Sequence, residues 1–169
     1  MSTLERVAAA LEDVPHTTVE VLDGCPCIAL ESRHLPVLAE HLRDRCGFDS
    51  ITFATAVDLY PAEPRFELSY QFLSLEHDDR LRVKVHVGES ECSVPTITHV
   101  YPGAGYCERE AFDMFGIRFD GHEGLARLYM PDEYEHHPLR KDFPHRGIEP
   151  DKLYREWERK RAGGNTYRS

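Results

Sequence analysis

Long apolar runs are missing from this chain. No stretch approaches the roughly 18 consecutive apolar residues that a membrane-spanning helix needs, so none is expected. The opening residues, M-S-T-L-E-R-V-A-A-A-L-E-D, are rich in acids and have no apolar core, which argues against a secretory leader and an Arg-rich transit peptide. A cytosolic or cytosol-facing location is expected. Positive charge is also scarce, at 20 Lys and Arg against 30 Asp and Glu, for a formal charge of −10. That balance disfavours nucleic acid and anionic lipid as direct partners, because both demand clustered basic side chains. The five cysteines (Cys25, Cys27, Cys46, Cys92, Cys107) are scattered and form no C-x-x-C, so neither a disulfide framework nor a zinc or iron–sulfur spacing is present. Cys25 and Cys27 share one face of a strand and read as small buried hydrophobes. Phosphate-cradling glycine loops are absent too: Gly103-Ala104-Gly105 lacks the third glycine of a dinucleotide fingerprint and follows Pro102 rather than a strand. No G-x-S-x-G or Cys/His nucleophile pattern occurs.

What is there suits one domain: 169 residues, 41% of them hydrophobic. Leu4, Val7, Ala8 and Leu11 recur at helical spacing, with Ser2 or Thr3 as N-cap and Pro15 as a stop. T-T-V-E-V-L and C-P-C-I-A-L-E then read as two strands joined at Asp23-Gly24. Helical periodicity returns over 34–46, ended by Gly47. Strands are expected at about 49–60, 65–76 and 81–88, the last with Leu81, Val83, Val85 and Val87 inward. The order α-β-β-α-β-β-β predicts an α+β fold, with helices on one face of a mostly antiparallel or mixed sheet. Residues 1–90 form that domain. Residues 91–116 are a connection and a short helix. Residues 117–169 are an extended arm with a short helix near 149–161.

The stretch from Tyr106 to Pro144 carries the functional question. It interleaves charges of both signs, histidines, aromatics and prolines, and is too apolar for a disordered linker. More than thirty residues after Gly116 show little regular structure, which compact domains rarely tolerate without a surface to cover them. An arm that stays mobile until it is buried on a partner is the expectation. Cys107, Ala111, Met114 and Phe115 line one side of the helix before it, leaving Glu108, Arg109, Glu110 and Asp113 to point elsewhere. Glu108 and Glu110 lie about 200° apart on a helix, so a carboxylate pair for acid–base chemistry is disfavoured. An ion-paired helix with Arg109 beside Asp113 is expected instead. His122, His136, His137 and His145 match no metal-site spacing and read as polar contact residues, with a stand-alone His-based metalloenzyme as the competing reading.

Within this stretch E-R-E-A-F-D-M-F-G-I-R-F-D-G-H, Glu108 to His122, resembles the signature of the C-subunit family of NADH:quinone oxidoreductase (NADH dehydrogenase), respiratory complex I. H-P-L-R-K-D-F-P, His137 to Pro144, resembles the second hallmark of that family, and V-P-T-I-T-H-V-Y its entry into the helix. Ala126 stands where the family usually has a basic residue or proline, and His136 where it usually has glycine. The resemblance implies a cofactor-free, non-catalytic subunit of the hydrophilic arm of a translocase that couples electron transfer from NADH to quinone with proton translocation. NADH, FMN, iron–sulfur clusters and quinone would belong to other subunits. The partners implied are the quinone-site subunit (D) and the terminal-cluster subunit (B), at the cytoplasmic side of a bacterial inner membrane. The residues expected at that interface are Glu108, Arg109, Glu110, Asp113, Phe115, His122, Arg127, His137, Pro138, Arg140, Lys141 and Asp142. Membrane-bound hydrogenases and quinone or methanophenazine reductases with other electron donors use similar subunits.

Overall fold

The computed structural model describes residues 2–145. The helix expected near 149–161 lies outside them. The first helix, α1 (Thr3–Ala10), begins with a reciprocal capping box: the Glu5 amide donates to Ser2 Oγ, and the Ser2 amide donates to the Glu5 carboxylate. Val7 is its buried contact, and Arg6 reaches Asp79 at 2.7 Å, fastening the helix to a later strand.

The strands β1 (Thr17–Thr18) and β2 (Cys27–Leu30) pair antiparallel, with Thr17 opposite Ala29. The connection is wider than a tight Asp-Gly turn. Asp23 is drawn to Arg82 at 2.8 Å, and Gly24 takes the left-handed backbone (φ +67°) that returns the chain. A 3-10 turn, Ser32–His34, leads into α2 (Leu35–Asp44), whose Leu35, Leu38, Ala39 and Leu42 are buried. Gly47 then reverses the chain at φ +67°.

Three long strands follow: β3 (Ser50–Asp58), β4 (Phe66–Ser74) and β5 (Asp79–Val87). The sheet order is β1-β2-β5-β4-β3, with β2 and β5 parallel and the other pairs antiparallel. Period-2 alternation puts Phe66, Leu68, Tyr70 and Phe72 of β4, and Leu81, Val83, Val85 and Val87 of β5, in one core with the helices. On the opposite face β5 presents Arg82, Lys84 and His86, with Lys84 paired to Glu67 at 2.9 Å.

A short parallel pair, β6 (Ser93–Pro95) with β7 (Arg118–Asp120), brackets α3 (Ala104–Phe115). The helix α3 lies on β3, where the buried apolar residues are Ala54 and Ala56. Small side chains there, and at Ala104 and Ala111 of the helix, let the two backbones approach closely. Gly116 closes α3 in the left-handed conformation at φ +79°.

Candidate functional site

Both Glu108 and Asp113 of α3 are fully buried, which corrects the expectation that they point away from the core. The expected apolar side holds at Ala111, Met114 and Phe115, but the buried face is wider than that and takes in both carboxylates. Ala104, Glu108, Ala111 and Phe115 follow each other at helical spacing and are all buried, so Glu108 sits inside the apolar face. Its carboxylate accepts a hydrogen bond from the Thr96 hydroxyl and one from the Ile97 amide at 3.1 Å. Burial pushes its pKa up, and those two bonds only partly offset that rise. The Tyr70 hydroxyl has no hydrogen-bond partner among the described residues, and burial first, then the carboxylate of Glu108, keeps it protonated.

Asp113 organises the segment after the helix. One carboxylate oxygen accepts the backbone N–H groups of Leu128 (3.0 Å), Tyr129 (2.6 Å) and Met130 (2.9 Å). The other accepts from Arg127 at 2.7 Å. Burial works against ionisation, but these donors outweigh it and hold the carboxyl below the usual carboxylate range. Arg127 also donates to the main-chain oxygens of Asp113 and His136, at 3.3 and 3.2 Å. Arg109 does not pair with Asp113 as its spacing suggested. It donates instead to the carbonyls of Ala126 and Arg127 at 3.1 and 3.0 Å. Glu110 accepts from the Tyr129 hydroxyl at 3.1 Å, and His122 Nε2 lies 3.2 Å from the Gly105 carbonyl.

Beyond Pro138 the chain continues along the end of α3. His137 Nδ1 meets the Asp113 carbonyl at 3.0 Å, the Leu139 amide the Met114 carbonyl at 3.1 Å, and Arg140 Nε the Phe115 carbonyl at 2.6 Å. Burial keeps His137 below the usual imidazole range. Gly116 makes room for this crossing: a Cβ there would stand 2.6 Å from His137 Nε2 and 2.8 Å from an Arg140 nitrogen. Arg140 also covers the ring of Phe66, against which Phe115 packs edge-on.

The segment ends at a second ionic knot. Arg65, 1% exposed, donates to Asp58 at 2.9 and 3.1 Å, to Asp142 at 2.7 and 3.2 Å, and to Glu89 at 2.6 Å. The Lys141 amide adds a bond to Asp58 at 2.8 Å. Burial opposes ionisation of Asp58, yet Arg65 and two backbone amides bring its pKa down to about 2. Sequence reasoning missed Asp58, Arg65, Glu89 and Thr96. One signal existed, since Asp58 continues the inward parity of Ala54 and Ala56 on β3. Arg65 carried none.

Residues 117–145 therefore form a strap on their own domain. The expectation of an arm that lies free until a partner covers it is corrected. The reason is that α3 and β3 supply buried carboxylates for the strap's otherwise unpaired amides. The histidines are dispersed in small contacts: His122 and His137 meet carbonyls, and His136 packs against Tyr134 and Phe143. Chemically, the cluster holds backbone in place.

Residues 28–149 match the family described as respiratory-chain NADH dehydrogenase, 30 kDa subunit. The C subunit of the NADH-quinone oxidoreductase of Trichlorobacter lovleyi is 43% identical over 121 residues, covering 71% of this chain and 75% of that one. Among solved structures, a trypsin-resistant fragment of Nqo5 superposes with a TM-score of 0.65 at 28% identity, covering 73% of this chain and all of the fragment. A chain of an archaeal membrane-bound sulfane sulfur reductase superposes with a TM-score of 0.71 at 25% identity, covering 93% of this chain and 91% of that one.

Proposed function

The chain belongs to the respiratory-chain NADH dehydrogenase 30 kDa subunit family, and from that premise we propose that it is a non-catalytic assembly subunit of the hydrophilic arm of an NADH:quinone oxidoreductase. In this reading it packs on the quinone-site subunit and near the one that holds the terminal iron–sulfur cluster. NADH oxidation, electron transfer and quinone reduction take place in other chains, at the cytoplasmic side of the inner membrane. Among the described residues no helix is long and apolar enough to cross a membrane, so attachment through neighbouring subunits fits.

The observation that carries the non-catalytic role is the employment of the signature's ionisable side chains. Asp113, Arg127, Arg109 and Arg140 are each spent on this chain's own backbone, and Glu108 is sealed beneath Thr96 and Ile97. A group that acts on a substrate must reach it within hydrogen-bond distance. These side chains instead fix the shape of a surface, which serves electron transfer by holding neighbouring redox subunits at constant separation.

Affinity purification of the tagged full chain from native membranes tests the proposal. NADH:quinone reductase activity and the D and B subunits should co-purify. Recovery of the chain alone, or with a nickel hydrogenase large subunit, would overturn it.

A further inference from the structure

We propose that the outer ridge of α3 and its strap, formed by Tyr106, Tyr129 and Leu139, docks a neighbouring subunit through an apolar groove flanked by lysine or arginine. This inference rests on the assembly role above and specifies the surface that role uses.

The three side chains are 70%, 61% and 53% exposed, and all belong to one module. They are also anchored to one element, α3. Tyr106 and Glu110 are about one helical turn apart, and Glu110 and Met114 another, a rise of about 6 Å each. Tyr129 is tied to this helix through its hydroxyl on Glu110, and Leu139 through its amide on the Met114 carbonyl. The result is three exposed apolar side chains anchored along about 12 Å of one helix rather than on unrelated elements. Leu75, 72% exposed, sits by contrast on the β4–β5 turn.

The ridge is prepared for docking. Tyr129 is fixed at both ends, its amide on Asp113 and its hydroxyl on Glu110, so ordering it on contact costs little rotamer entropy. Tyrosines held this way are typical anchors of protein interfaces. The charge around the ridge selects the partner. Arg109 and Arg127 are turned inward onto carbonyls, while Glu123, Asp132 and Glu135 of the strap are exposed. Arg118 and Lys141 are the exposed cations, near the two ends of the described strap. Exposed acids thus outnumber exposed cations on the described strap, and the face is complementary to an apolar groove with a basic rim.

The test uses the intact complex. Photo-reactive benzoylphenylalanine placed at position 106 or 139 should cross-link, on irradiation of the purified complex, to a different subunit at an apolar segment flanked by Lys or Arg. Cross-links confined to this chain or to a second copy, or none at all, overturn the proposal. In parallel, Tyr106→Glu and Leu139→Glu should bind the remaining subunits at least about tenfold more weakly, with unchanged melting of the isolated chain. Leu75→Glu should bind like wild type. Equal binding by all three variants refutes the ridge while leaving the assembly role standing; failure of the wild-type chain to enter the complex refutes both.

Discussion

Replacing Asp113 by Asn removes one charge and leaves shape almost unchanged, so it isolates what the carboxylate does. In the wild type that group receives three backbone amides and the Arg127 guanidinium while fully buried. An amide offers one oxygen and turns an NH2 toward at least one of these donors. Breaking a buried ion pair costs about 3–5 kcal/mol, and each buried donor left unpaired about 1–3 kcal/mol. Those losses are capped by the cost of simply letting the middle of the strap lift, because Arg140 and the Arg65 knot still hold its far end. The expected outcome is local opening at about 3 kcal/mol lower free energy. Native-state hydrogen exchange at Leu128, Tyr129 and Met130 should therefore accelerate roughly 100-fold, while the amides of β4 and β5 change by less than about threefold. Arg127→Met should give a similar pattern, and the double variant should be less than additive. If exchange at the three strap amides stays within about threefold of wild type in Asp113→Asn, the carboxylate is not the anchor and this reasoning fails.

Glu108→Gln should behave in the opposite way. Burial raises the Glu108 pKa in the folded state, so its charged form is a cost that appears as pH rises through the raised value. The amide oxygen can accept from Ile97 while its NH2 donates to the Thr96 hydroxyl oxygen, so urea unfolding at pH 7 should show unchanged or higher stability, with the advantage over wild type shrinking toward pH 4. Acid should act through Asp58. Its pKa falls from 3.8 to about 2 on folding, so its contribution of about 2–3 kcal/mol is present above the unfolded value and lost as pH falls from 4 toward 2. Urea midpoints at pH 6 and pH 3 check this, and Asp58→Asn should flatten the difference. Gly116→Ala forces a left-handed alanine, at about 1–2 kcal/mol, and drives a methyl against His137 and Arg140. Thermal melts should drop, with the 137–140 amides exchanging fastest.

The strands and helices of residues 1–90 were legible because each carries its period on the surface of the sequence. Leu81, Val83, Val85 and Val87 alternate, Leu35, Leu38 and Leu42 recur every three or four residues, and Ser2 with Glu5 marks a helix start. The parallel union of β2 with β5 was not legible as a specific pairing. It joins Leu30 to Val85 across α2 and two strands, and no local pattern encodes such a distance. The strap was misread for a related reason. Its amides are satisfied by Asp113, 15 to 17 residues earlier on a helix face that reads as polar, and by Asp58, 83 residues earlier, and without them the segment looks unfinished. Charge in the sequence suggested exposure; Glu108, Asp113 and Arg65 are buried because each has its partners inside. The family signature compensated, since it does not depend on knowing where those side chains point.

The knot at Arg65 also sets an order of events during synthesis. Asp58 precedes Arg65 by 7 residues, whereas Asp142 follows it by 77. At about 5–20 residues per second, Arg65 waits roughly 4–15 s for its last carboxylate. Through that interval Asp58, then Glu89 24 residues on, and the faces of Tyr60 and Phe66 are its available company. The guanidinium therefore has its opposite charge while the ribosome completes the strap, and what it still lacks is the pair of hydrogen bonds to Asp142. Arrival of Asp142 then marks the moment at which the nascent chain acquires its finished outer face.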